Sequence, residues 1–279
     1  MIKANFHMHT HFCDGKNSPE DYVLIALEKG MTAIGFSTHA PVPIENKWNM
    51  RIEMLPDYFA EIVRLKQKYA NKIEIYTGFE MDYLITDTKQ RIFSYINKAD
   101  YTIGSVHYLY AAKNKKYCCI DGSASDVAAT FKEFAGGDSK LCVNAYYQEI
   151  IRIIHEFKPD IIGHFDVIKK QNKDNIYFSE KEGWYVSLVN KVLDEIARAG
   201  IILEVNTGGI TRGFLTETYP SDLILSEVLK RKIPIIISSD AHKAEDIDGF
   251  FSETAQKLRA LGFTQQKTFC ANKWIDVAI

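Results

Sequence analysis

Long apolar runs, a secretory leader, paired cysteines and an excess of either charge are all missing from this 279-residue sequence. Each gap removes a class of protein. No stretch of about eighteen apolar residues occurs, so no membrane-spanning helix is on offer. The opening Met1-Ile2-Lys3-Ala4-Asn5-Phe6-His7 lacks the apolar core of a signal peptide. Cysteine is scarce and odd in number: five residues, of which Cys118 and Cys119 are adjacent, with no Cys-x-x-Cys. That argues against a disulfide framework and for reduced thiols in the cytoplasm. Thirty-four Lys+Arg against thirty-six Asp+Glu give −2, which steers the chain toward neither nucleic acid nor an anionic membrane surface. Seven prolines and sixteen glycines are too few for a disordered or collagen-like chain. No low-complexity segment, linker or fixed-period repeat interrupts it.

What is present fits one globular unit. The hydrophobic set makes up 46% and charged residues 25%, an ordinary balance, and the length suits one α/β barrel, typically about 250 residues. The pattern predicts strands at 2–9, 34–37, 73–77, 101–106, 160–163, 201–205 and 233–237, with helices at 55–69, 88–97, 143–157, 183–199 and 221–231. Such alternation implies a parallel sheet with helices outside. Ser18-Pro19-Glu20-Asp21 reads as a helix start, Gly30 and Gly200 as helix stops. Residues 109–140 break the pattern and read as an excursion after the fourth strand; 266–279 read as an extra strand or arm. Residues 1–279 are thus expected to form a single barrel domain.

Seven of the eight histidines fall at or beside predicted strand ends. His7 and His9, two apart on a strand, share a face. His39 ends the second strand, Glu80 and Asp82 the third, His107 the fourth, His164 the fifth, and Asp240 with His242 the seventh. In a parallel barrel the C-terminal strand ends form one face, where sites gather. A lone histidine at a strand end is ordinarily a satisfied polar group, and His155, mid-helix, has no assigned role. His11, past the first strand, reads as outlying or exposed, and Cys13 as a small buried residue. So many converging donors are a different matter. Imidazoles with carboxylates suit zinc, iron or manganese rather than the all-oxygen shells of magnesium and calcium. The donors outnumber what one tetrahedral ion takes, and Glu80 can bridge two ions through its separate oxygens.

At these residues the chain resembles the polymerase-and-histidinol-phosphatase (PHP) family of metallophosphoesterases. The likeness runs nearly end to end through His7-Met8-His9-Thr10, Gly35-Phe36-Ser37-Thr38-His39-Ala40-Pro41, Gly78-Phe79-Glu80-Met81-Asp82-Tyr83, Gly104-Ser105-Val106-His107, Gly163-His164-Phe165-Asp166, Glu204-Val205-Asn206-Thr207 and Ser239-Asp240-Ala241-His242. The His39-Ala40-Pro41 and Ser105-Val106-His107 blocks favour the histidinol-phosphatase branch. The resemblance implies a distorted (β/α)7 TIM-like barrel and three divalent ions (zinc, iron or manganese). It implies His7, His9, Glu80 and Asp240 around the first ion, Glu80, His107 and His164 around the second, and Asp14, His39 and His242 around the third. One departure bears on the third ion: some relatives carry a histidine just after the position of Asp14, where this chain has Gly15.

The implied reaction is hydrolysis of a small phosphomonoester, L-histidinol phosphate, by hydroxide held between two ions and attacking phosphorus in line. Glu80, Asp240, His242 and Arg212 are the catalytic candidates, with Asp240 or His242 as proton donor to the leaving oxygen. Arg212, past the sixth strand, has the guanidinium fork that grips phosphate; Lys169 and Ser37 are further candidates. Asp82, Glu45 and Glu53 are candidates for the substrate's amine. Three other readings weigh less. A PHP phosphoesterase acting on sugar or nucleotide phosphates keeps the metals, but a nuclease-like form lacks a basic, aromatic strip. A non-catalytic metal-binding regulatory module would leave no open coordination positions. An amidohydrolase would show a bridging lysine where the third strand offers Glu80.

Overall fold

The computed structural model describes residues 3–84 and 89–279. In chain order the strands are β1 (Ala4–Asn5), β2 (Ala33–Phe36), β3 (Glu74–Asp82), β4 (Tyr101–Ser105), β5 (Tyr108–Ala111), β6 (Lys116–Cys119), β7 (Ile161–Ile162), β8 (Ile202–Asn206), β9 (Ile235–Ser238), β10 (Gln265–Cys270) and β11 (Lys273–Ala278). The helices are α1 (Pro19–Glu28), α2 (Leu55–Lys68), α3 (Lys89–Ile96), α4 (Ala124–Ala135), α5 (Ser139–Glu156), α6 (Gly183–Ala199), α7 (Gly208–Thr211), α8 (Asp222–Lys230) and α9 (Phe251–Leu261).

Strands β1, β2, β3, β4, β7, β8 and β9 form one sheet in that order, every pairing parallel. A parallel bridge between Met8 and Ala241, with the His9 N–H donating to the Ala241 carbonyl at 2.8 Å, draws the first strand against the last. The alternation predicts the parallel order, and the sheet curls into the nearly closed seven-stranded barrel that the family resemblance implies. Residues 2 and 88, outer ends of one predicted strand and one predicted helix, lie outside the described residues.

Local chemistry sets the helix ends. At α1, Ser18 and Asp21 cap each other's backbone N–H groups, with Pro19 at the first helical position. Ser123 and Asp126 repeat that box at α4. α6 buries Tyr185, Val189, Val192, Leu193 and Ile196, the stripe a 3.6-residue period turns toward a sheet.

Inside the barrel, strand parity separates a greasy end from a polar one. On β3, Tyr76, Gly78, Glu80 and Asp82 share one face. Tyr76 packs with Phe6, Tyr101, Ile103, Ile161, Ile202 and Ile236. A Cβ on Gly78 would sit 2.3 Å from the Tyr101 ring, so glycine there lets that ring cross the barrel. Above it Glu80 rises to the C-terminal rim. The C-terminal residues form an antiparallel β10–β11 hairpin that covers the opposite end. Its Phe269 meets Tyr76 edge-on at 4.8 Å and its Trp274 meets Phe6 at 5.6 Å. The excursion expected at 109–140 is a second hairpin, β5 with β6, followed by α4 and the start of α5.

Candidate metal centre

Glu80 stands at the centre of the rim, buried among five imidazoles. Its Oε2 lies 2.9 Å from His39 Nδ1, 3.3 Å from His7 Nε2 and 3.4 Å from His9 Nε2; its Oε1 lies 2.8 Å from His164 Nε2 and 3.5 Å from His107 Nε2. Asp240 Oδ1 approaches His9 Nε2 at 3.1 Å, and Asp14 Oδ2 approaches His242 Nε2 at 3.3 Å. Among the described residues these donors fall into three overlapping groups: His7, His9 and Asp240; His39, Glu80 and His107; and His9, Asp14, His39 and His242. In each group one donor atom per residue lies within 4.8 Å of all the others.

A second layer orients the rings. Glu204, in the middle of β8, accepts from His7 Nδ1 at 2.5 Å through Oε1; its Oε2 accepts from the His164 N–H at 2.7 Å and from Asn206 Nδ2 at 3.0 Å. Asp82 holds His107 Nδ1 at 2.9 Å and the His107 N–H at 2.9 Å. Each carboxylate holds a proton on Nδ1, so that once an ion displaces the Nε2 proton the lone pair there is presented toward Glu80, the arrangement metal-binding imidazoles use.

The cluster is a cation seat by its own electrostatics. Burial favours the neutral acid at Glu80, yet His39, His7 and His107 outweigh it and hold the carboxyl well below its usual range. Burial acts the same way on Asp240, and Arg212 and His7 overcome it. Burial, with His39 and His242, pulls His9 down to about 3, so its ring is neutral and free to donate. His7 runs the other way: Glu204, Glu80 and Asp240 outweigh its burial and raise it well above 6.5. His7 Nε2, His9 Nε2, His39 Nδ1 and Glu80 Oε2 are buried without a properly directed hydrogen bond. Each such orphan costs about 1–3 kcal/mol, and divalent cations among them would satisfy all four at once. The donor set therefore fits the metals that the sequence implies.

A cavity of about 380 Å³ opens over the cluster. Asp14, His39, Glu80, His107, His164, Asp240 and His242 form its floor side, and its wall includes Trp48, Asp121, Lys170, Arg212, Phe214 and Tyr219. Arg212, at the end of α7, donates to the Asp240 carbonyl at 2.6 Å and to its Oδ2 at 2.9 Å. Those bonds support a left-handed backbone at Asp240, φ 50°, a conformation that side-chain-bearing residues adopt at some cost.

The remaining candidates lie outside the cavity lining. Lys169 does not reach the cavity: its buried ammonium is held by Asp166 at 2.9 Å and Glu217 at 3.1 Å. The single 3-10 turn at Val167–Lys169 puts its neighbour Lys170 on the cavity wall instead. Ser37 is buried and accepts from the Met8 N–H at 3.0 Å, tying the first two strands together rather than meeting a ligand. Asp82 is occupied by His107, and Glu45 and Glu53 are exposed outside the cavity. His11 is exposed, and His155 pairs at the surface with Glu195 at 3.2 Å. The Cys13 Sγ lies 3.5 Å from His9 Nδ1, but burial pushes its thiol up to about 12, which keeps it protonated. A Cβ on Gly15 would sit 2.1 Å from the His9 carbonyl oxygen, so no side chain fits there. Glu204 and Asp121 had no assigned role. A lone carboxylate inside the apolar run Ile201-Ile202-Leu203-Glu204-Val205 was the available signal for the first, since a buried charge needs a partner.

A family model described as the PHP domain matches residues 5–208. The histidinol-phosphatase of Bacillus subtilis (strain 168) is 31% identical over 88% of this chain and 96% of its own length. A solved Listeria monocytogenes structure, provisionally named a histidinol phosphatase, superposes with a TM-score of 0.79 at 27% identity, covering 90% of this chain and 99% of that one. The histidinol phosphate phosphatase of Lactococcus lactis, solved with zinc, L-histidinol and phosphate, has the same fold, with a TM-score of 0.70 at 22% identity over 98% of both chains.

Proposed function

The chain belongs to the PHP domain family, and from that premise we propose that it hydrolyses L-histidinol phosphate to L-histidinol and phosphate with divalent metal ions. The observation that carries this reading is Glu80, whose two oxygens divide five imidazoles between them at the floor of an open cavity. His7, His9, Glu80 and Asp240 would hold one ion; Glu80, His107 and His164 a second; Asp14, His39 and His242 a third. His9 and His39 lie between these sets, so each can lean to either neighbour. Zinc, iron and manganese all accept such donors. When bound, the ions supply Lewis acidity and a lowered pKa for coordinated water, toward about 7.

The chain's own residues do the rest. Arg212 lines the cavity with its guanidinium fixed on Asp240, ready to take two phosphate oxygens. Asp240 and His242 both face the cavity; Asp240 is held ionised, so it could pass a proton to the departing alkoxide only after taking one up from the attacking water, and His242 is the other candidate donor. Among the described residues, Lys170 and Arg212 are the lysine and arginine side chains in the wall, and the Lys170 ammonium is bonded to the Asp121 carbonyl; so few cations suit one phosphate group rather than a polymeric backbone. The five cysteines are free, as suits a cytoplasmic enzyme; among the described residues no helix is long and apolar enough to cross a membrane. The test is phosphate release from L-histidinol phosphate beside sugar, nucleotide and nitrophenyl phosphates, with metal analysis of the same sample. The highest kcat/KM is expected for L-histidinol phosphate in a metal-containing protein. Preference for another class, or full turnover after metal removal, would overturn the proposal.

A further inference from the structure

The carboxylates facing the cavity are not equivalent. Asp14, Glu80 and Asp240 each lie within 3.3 Å of an imidazole nitrogen. Asp121 forms its ion pair with Lys170 instead, and that pair is long: Nζ to Oδ2 is 3.6 Å. The Lys170 ammonium bonds the backbone of the same residue, donating to the Asp121 carbonyl at 2.6 Å, and stands 4.8 Å over the Phe214 ring. Asp121 does not cap α4 either, because Ser123 and Asp126 do that. Its carboxylate thus has two long contacts, Oδ2 with Lys170 and Oδ1 with the Cys119 thiol at 3.6 Å, and is 22% exposed on the cavity wall.

The loop that carries Asp121 is held rigid on both sides. The Ile120 N–H donates to the His107 carbonyl at 2.9 Å, Thr130 Oγ1 to the Cys119 carbonyl at 2.5 Å, and Gln171 Nε2 to the Gly122 carbonyl at 3.1 Å. A side chain positioned before its ligand arrives loses little freedom on binding. The cavity thus carries, besides Arg212 and the cluster, a further carboxylate on the loop after β6. We propose that Asp121 is the subsite for the substrate's ammonium group, so that the enzyme selects phosphomonoesters of amino alcohols over uncharged alkyl phosphates. The inference rests on the phosphatase reading above and adds the residue that sets its specificity.

The test compares substrates that differ only in the amine: L-histidinol phosphate against 3-(imidazol-4-yl)propyl phosphate, and O-phosphoethanolamine against ethyl phosphate. The wild-type enzyme is expected to favour the amine-bearing member by about 10- to 100-fold in kcat/KM, the worth of a hydrogen bond to a charged group. In Asp121→Asn that preference collapses toward one, chiefly through KM, and Asp121→Ser serves if the first variant folds poorly. Calorimetric binding of L-histidinol against its amine-free alcohol, in wild type and variant, reads the same preference without turnover. A wild-type preference near one, or one that survives both substitutions, overturns the inference. If O-phosphoethanolamine outruns ethyl phosphate while L-histidinol phosphate is not the best substrate, the substrate assignment fails and the subsite stands.

Discussion

Replacing Glu204 by Gln changes one oxygen to an NH2, and the surroundings dictate which one. Glu204 Oε2 receives two N–H groups, from His164 and Asn206, so the amide oxygen must take that place. The NH2 then faces His7 Nδ1, where a 2.5 Å contact now holds a ring N–H against a carboxylate oxygen. Two donors cannot share that distance. His7 must move its proton to Nε2, which removes the lone pair aimed at Glu80 and Asp240. Losing a charge-assisted hydrogen bond costs about 1.5–3 kcal/mol, and loss of a carboxylate behind a ligating histidine costs roughly 10–100-fold in metal affinity. The two agree, since tenfold is about 1.4 kcal/mol. The assay is competition for zinc or manganese against a fluorescent chelator, with metal content after dialysis and a melting curve in excess metal to confirm folding. Wild-type affinity in a folded Glu204→Gln protein would refute the claim that this carboxylate sets the His7 tautomer.

Arg212→Ala should lower kcat/KM for phosphomonoesters by about 10–100-fold with metal content retained; unchanged kinetics would remove the guanidinium from the reaction. Lys169→Met should instead lower stability by about 3–5 kcal/mol, because it strands the buried Asp166 charge. Denaturant melts read that loss, and a raised KM with an unaltered melt would return Lys169 to the phosphate site. Lys68, Arg64 and Tyr69 hold the Glu20 carboxyl down to about 2, below its ordinary 4.5. Its contribution is therefore present above pH 4.5 and fades as pH falls toward 2. The solvent-exposed site limits it to less than about 1 kcal/mol; the stability gap between wild type and Glu20→Gln should close over that acid range.

The barrel was legible because its signals are local and repeated. Seven short apolar runs, each ending in a histidine, a carboxylate or Asn206, already order the strand ends, and capping residues such as Ser18 mark helices without tertiary help. Donor residues came with the strands, since alternation decides which side chains share a face. What escaped was set by geometry that no period encodes. A single 3-10 turn exchanges the directions of Lys169 and Lys170. Ser37 lies at a parallel strand end with the right chemistry for phosphate, yet a backbone N–H of the neighbouring strand claims its hydroxyl. Asp121 follows a hairpin whose packing on the rim depends on bonds to residues 107, 130 and 171, distant in the chain or in a different element. The sealing of the barrel by Phe269 and Trp274 likewise needs the hairpin's landing place, which composition alone does not carry.

The tight turn after β1 also restricts what residue 15 can be. Thr10 accepts from the N–H groups of Cys13 and Gly15, Lys16 donates to the His242 carbonyl, and Gly15 lies directly against the His9 carbonyl. A mutation at codon 15 alone would force atoms into occupied space beside two of the cation donors, whatever amino acid it brought. A further donor at this place would require the turn itself to take another path.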